Sequence, residues 1–204
     1  MAYYSDGYER FLTGFHAIIG ARDSGKTTIL QNVFNLAYDQ GYTIVIIDSC
    51  TDHPNKSLLV RTHQAFEDSV HITSPEKSRI LQSYFIPFKT DFYPCEMIAM
   101  NLNKRIFLFD VSKYLEEGYD TEDLKKREEI RMYYKRLARQ ILYAVQKMLM
   151  TKKVIILMDE IELIPSMFNV LVDLKDSSTS IVMTLHSSVS LKFFGTLFKE
   201  VRLE

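Results

Sequence analysis

The sequence has no tryptophan, two cysteines, and no apolar run approaching the length of a membrane span. Its longest aliphatic stretches, near residues 44–47 and 154–158, are strand-length, whereas a span needs roughly 20 residues, so no membrane insertion is expected. The opening residues MAYYSDGYERFLTGFHAIIG lack the charged-then-apolar layout of a secretory signal, and an intracellular setting follows as the default. Cys50 and Cys95 stand in no CxxC or Cys/His spacing, so free thiols are expected in place of a disulfide framework or a zinc site. His16, His53, His63 and His71 also lack metal-ligand spacing. A net charge of −1 argues against a generally basic coat for nucleic acid, though a local basic surface remains open. No two of the seven glycines are adjacent, which removes any LSGGQ-type stretch. "NKSL" has Leu58 where GTPase base recognition needs Asp.

What is present is ordinary globular material: 47% hydrophobic and 25% charged residues over 204 positions. One domain spanning 1–204 is expected, long enough to bury roughly 70% of its unfolded surface. The pattern along the chain is strand, loop, helix, repeated. Strands are predicted at 15–20, 42–48, 105–111, 153–158 and 180–185, with a final edge strand in "KEVRLE". "SVHITS" reads as a short strand and "PEKSRILQSYF" as a helix. Ile29, Val33, Leu36 and Ala37 mark one helix that Gly41 stops. Ile130, Tyr134, Leu137, Ile141, Val145 and Met148 draw a stripe on a long one from Thr121 to about Lys152. A short helix is predicted around 167–175. This order means an α/β fold with a central, mostly parallel sheet covered by helices on both faces. Ligands of such sheets sit at the carboxyl ends of the strands.

"GARDSGKT", Gly20 to Thr27, matches G-x-x-x-x-G-K-[ST] in full, and it follows a predicted strand and opens a predicted helix. A chance match in a chain of this length is about one per cent or less. The glycines Gly20 and Gly25 let the backbone of Ala21, Arg22, Asp23 and Ser24 turn its N–H groups around phosphate oxygens. Lys26 reaches the β- and γ-phosphates, Thr27 gives its hydroxyl to Mg²⁺, and the helix N-terminus, with Thr28, favours the anion. The motif says nucleotide.

"VIILMDE" narrows the chemistry. Five aliphatic residues end in two adjacent acids, Asp159 and Glu160. A carboxylate at that strand exit can hold a Mg²⁺-bound water, the Walker B role, which falls to Asp159. Glu160 can polarise the water attacking the γ-phosphate. A small-molecule kinase has its own acceptor and does not need that second acid; an ATPase that hydrolyses for mechanical work does. The plainer alternative is that both acids solvate a strand end. One helix later "VMTLHSS" ends in polar residues. If that strand lies between the other two, a tip side chain would touch the γ-phosphate, with His186 the first candidate and Thr184 the second.

The phosphate loop, "RIFLFDVSKY", a long helix, "KKVIILMDEIELI", a short helix and "SIVMTLHSSVSL" together resemble the FtsK/HerA superfamily of DNA-pumping ATPases. The likeness covers the loop region and about 105–195, leaving 50–100 unmatched. With little beyond an ATPase core, the chain is similar to the genome-packaging ATPases of membrane-containing icosahedral viruses. The resemblance implies a RecA/FtsK-like P-loop fold, ATP and Mg²⁺, and a homo-oligomeric ring of five or six subunits. It also implies double-stranded DNA and capsid or vertex proteins as partners, in the host cytoplasm or at the virion vertex. Walker A falls on Gly20, Gly25, Lys26 and Thr27, and Walker B on Asp159 and Glu160. Two departures stand out. His186 replaces the glutamine of the cellular "ATQ" strand ending. Eleven residues upstream, where cellular members offer an arginine to the neighbouring subunit, stands Lys175. A lysine lacks the bidentate fork, so Arg79 and Arg105 are the other candidates for that finger.

The long helix also carries Lys125, Lys126, Arg127, Arg131, Lys135, Arg136 and Arg139 against Glu128 and Glu129. This face suits DNA phosphates or a neighbouring subunit, and equally a solvated surface laced with weak Glu–Lys pairs. Met132, Tyr133, Tyr134, Tyr143 and Met148 on that helix are expected in the core.

Overall fold

The computed structural model describes residues 7–48, 85–86, 106–110, 123–129, 153–159, 179–187 and 197–203, with Met132, Arg139, Tyr143, Val145, Gln146, Leu149 and Leu174. After a 3-10 turn at Glu9–Leu12 come β1 (Phe15–Ile19), α1 (Lys26–Asp39), β2 (Thr43–Asp48), β3 (Phe85–Ile86), β4 (Ile106–Asp110), β5 (Val154–Asp159), β6 (Ser180–Leu185) and β7 (Lys199–Arg202). They form one seven-stranded sheet in the order β3-β4-β2-β5-β6-β1-β7. Every pairing is parallel. Each position of β1, β5 and β6 is buried, so both faces of the central strands are covered. That explains why these strands read as continuous aliphatic runs without alternation. Burying one such side chain contributes about 1.5–3 kcal/mol.

α1 lies on one face, its Leu30, Val33, Phe34 and Ala37 against Ile18, Ile44, Ile46, Ile155, Leu157 and Val182. The stripe therefore differs from the expected one. Val33 and Ala37 hold their places, but Ile29 and Leu36 only flank the core. The helix has more apolar residues than one face can bury, and the i, i+3, i+4, i+7 set beginning at Leu30 is the one that meets the sheet. Gly41, at φ 82°, ends the helix, its N–H bonded to the Tyr38 carbonyl at 3.1 Å. That left-handed turn is cheap only for glycine.

The expected strands at 15–20, 42–48, 105–111, 153–158 and 180–185 all appear, within a residue or two at their ends. "KEVRLE" does supply an edge strand. Phe85, expected to close a helix, instead opens β3. "SVHITS", the helix expected at 167–175 apart from Leu174, Cys50 and Cys95 lie outside the described residues. The described residues between 124 and 149 are helical. The start falls at Leu124 and not Thr121, because Asp123 Oδ1 accepts the N–H groups of Lys125 (2.9 Å) and Lys126 (3.3 Å). That is an N-cap, satisfying donors the helix itself cannot. Val145 is buried, as the stripe required, but Met132 and Tyr143 are 39% and 51% exposed, against the expectation of core positions. Apolar character alone does not say which way a helix is turned. Lys125, Lys126, Arg127 and Arg139 are exposed.

His16 is the buried polar residue of β1, 3% exposed. Its Nε2–H donates to the Thr13 carbonyl at 2.9 Å, and the ring sits edge-on to Phe11 at 5.1 Å. Burial lowers its pKa from 6.5, with Lys199 and Arg10 adding to the effect and the Thr13 bond opposing it. A histidine depressed in the folded state binds protons more readily once unfolded. Its contribution is complete above about 6.5 and is lost as pH falls from there toward the folded value. The urea midpoint should therefore drop between pH 7.5 and 5.5 by more in the native chain than in His16→Gln. Equal drops would show that other groups carry the dependence.

Candidate functional site

β1 runs out at Ile19 and the chain turns into Gly20–Gly25 before α1 begins at Lys26. Two backbone features make the turn. Gly25 adopts φ 91° and Asp23 φ 61°; glycine does so freely, and Asp is among the few other residues that tolerate it. A Cβ on Gly20 would lie 2.5 Å from Ser24 Oγ and 3.1 Å from Leu203 Cβ. The loop thus closes on itself over a position with no room for a side chain. Ser24 Oγ is buried there without a hydrogen-bond partner. Ala21, Arg22, Asp23 and Thr28 are exposed.

Lys26 is 6% exposed. Its Nζ donates to the carbonyls of Gly20 (2.7 Å) and Ala21 (2.6 Å) and stands 3.4 Å from His186 Nδ1. An ammonium only donates, so Nδ1 is the acceptor, which puts the proton of a neutral imidazole on Nε2. These three acceptors are neutral. An anion in the loop would be a stronger partner for Lys26.

The second half of the site hangs on Asp159, the last residue of β5 and 1% exposed. Thr27 Oγ1 donates to its Oδ2 at 2.9 Å, and Thr184 Oγ1 donates to its Oδ1. The sheet order explains the meeting. β6 lies between β1 and β5, so the exits of all three strands converge, and the Gly20 N–H reaches the Leu185 carbonyl at 3.2 Å. The condition set for "VMTLHSS", a strand between the other two, is met. His186, at its tip, is beside Lys26. Thr184 is fully buried and its hydroxyl donates to Asp159, so it holds the carboxylate. The bond to Asp159 is not among the roles expected of Thr184 from sequence. The signal available is a polar residue interrupting the aliphatic run near the end of the strand. Register also sets Asp48 and Asp110, at the ends of β2 and β4, in line with Asp159.

Thr184→Val is expected to lower stability by about 1–3 kcal/mol, the cost of leaving a buried acceptor unsatisfied. Denaturant unfolding measures it. An unchanged midpoint would mean that Asp159 holds its rotamer without this bond.

A Mg²⁺–nucleotide fits these residues on three counts. The loop offers an ammonium and an orphaned buried hydroxyl, its glycines leave space where side chains would intrude, and a hydroxyl and a carboxylate stand 2.9 Å apart as hard oxygen donors. Glu160 follows directly after Asp159 but lies outside the described residues, as do Lys175, Arg79 and Arg105.

No family model matches the chain, and no curated protein sequence does. Among solved structures it is similar to VirB4 of Thermoanaerobacter pseudethanolicus, with a TM-score of 0.51 and 10% identity over 92% of this chain and 76% of that one. At that identity the likeness concerns the fold. The fold is α/β, a parallel sheet flanked by helices, of the P-loop NTPase class.

Proposed function

We propose that this protein is a Mg²⁺-dependent ATPase that works as a motor on double-stranded DNA, assembling as a ring and driving a viral genome into its procapsid. The observation that carries the hydrolytic part is the Thr27–Asp159–Thr184 network, with Lys26 and His186 beside it at the exits of adjoining strands. Lys26 leaves its loop carbonyls for the β- and γ-phosphates, and His186 is freed to donate to the γ-phosphate. Thr27 and Asp159, 2.9 Å apart, would hold a Mg²⁺ ion, which would supply charge neutralisation at the phosphates. Glu160 takes the proton of the attacking water. Lys175, Arg79 or Arg105 from a neighbouring subunit supplies the finger, an element worth roughly 10³–10⁵ in rate.

The DNA and packaging parts rest on the FtsK/HerA resemblance and on the exposed basic residues Lys125, Lys126, Arg127 and Arg139. The partners follow from the same reading: the duplex, other copies of this chain, and capsid or vertex proteins, met in the host cytoplasm and at the virion vertex. Phosphate release per protein chain is expected to rise with protein concentration, because the finger comes in trans, and to be stimulated by double-stranded DNA. A flat concentration profile would leave a self-contained site. Absence of DNA stimulation, or transfer of phosphate to an acceptor other than water, would overturn the motor.

A further inference from the structure

The flank of the phosphate loop away from Asp159 is built by β7. Across the sheet the order is β5, β6, β1, β7, so Asp159 and His186 stand on one side of the loop and the exit of β7 on the other. A nucleoside triphosphate whose γ-phosphate meets His186 and Asp159 must extend its α-phosphate and nucleoside away from them. That direction leads along the carboxyl edge toward β7. The residue found there is Leu203. Its N–H donates to the Ile19 carbonyl at 2.8 Å, continuing the β1–β7 ladder, and its Cβ is 3.1 Å from where a Gly20 side chain would begin. It packs against the α1 core and is partly exposed. Ile29, in the first turn of α1, is half-buried against the same cluster. Arg202, the preceding residue, is exposed and tied to Glu200 at 2.8 Å.

We infer that Leu203 is the seat of the nucleoside: its open apolar side receives the ribose and the face of the base, while Lys26 and the loop hold the phosphates. This rests on the nucleotide-binding reading above and adds to it a residue that distinguishes a nucleotide from bare polyphosphate. A partly buried leucine against a loop glycine could alternatively serve only to brace the loop. The two roles differ in what they do to a ligand without a nucleoside.

The test compares ATP with inorganic tripolyphosphate, each with Mg²⁺, on the full chain and on Leu203→Ala and the uncharged polar Leu203→Asn. The native chain should bind ATP more tightly than tripolyphosphate. Leu203→Asn should weaken ATP by about tenfold, the scale of one buried aliphatic side chain, with Leu203→Ala between. Tripolyphosphate binding should be unchanged in both variants, which also shows that the loop has folded. Equal losses for the two ligands would make Leu203 a brace and overturn the seat. So would equal affinity of the native chain for both, leaving nucleotide hydrolysis intact as a reading. Failure of the native chain to bind either would overturn the nucleotide site and the seat with it.

Discussion

Glu160→Gln is expected to keep ATP bound and to reduce turnover by about 10²–10⁴-fold, the usual worth of a positioned general base. The amide has the carboxylate's shape and can still orient a water, but it cannot accept the proton that the attacking water must lose. Glu160 follows Asp159 at the exit of β5, the edge where Lys26, Thr27 and His186 also meet. Asp159 itself accepts from two threonine hydroxyls, which leaves the proposed role of base to the acid that follows it in sequence. Equilibrium binding of ATP together with steady-state phosphate release separates the two effects. Turnover like that of the native chain would remove Glu160 from the mechanism. Loss of binding alongside turnover would make it part of the metal or nucleotide hold instead.

The parts of this site that the sequence displays are those where chemistry and local geometry coincide. Gly20 to Thr27 is one contiguous stretch, a loop running into the start of α1, so its residue types and spacing suffice to bring Lys26 and Thr27 to the exit of β1. Asp159 ends a strand buried at every position, and the abrupt change from aliphatic to acidic marks the exit. The contacts that cross between strands are less legible. Thr184 is 25 residues from Asp159 in the chain, and a strand buried on both faces has no alternation to show which way its threonine points. Leu203 meets Gly20 because β7 pairs with β1 and not with β6, the strand before it in sequence. Consecutive order does not reveal that pairing. The α1 stripe and the exposure of Met132 and Tyr143 share a cause: a helix rich in apolar residues has several plausible faces, and the sheet it packs against selects among them.

Asp159→Asn tests the metal half of the site, and its outcome depends on a distinction the geometry supplies. The carboxylate is 1% exposed and accepts one hydroxyl on each oxygen. An asparagine can keep both threonines, accepting from one on its oxygen and donating from its nitrogen to the lone pair of the other, since a hydroxyl plays either part. The fold should therefore survive. What is lost is the negative charge next to Thr27, where Mg²⁺ and its water shell are to be held. Removing such an outer-shell partner costs about 10–100-fold in metal affinity or activity. The affinity gained when Mg²⁺ is added to ATP should fall by that factor, and turnover with it, while binding of ATP in the presence of a chelator stays at the native level. Thr184→Val should move Mg²⁺-dependent binding in the same direction by less, because it loosens the carboxylate without neutralising it. If Asp159→Asn weakened ATP equally with and without Mg²⁺, Asp159 would be a structural clamp between β5, β6 and the loop, and the metal assignment would fail.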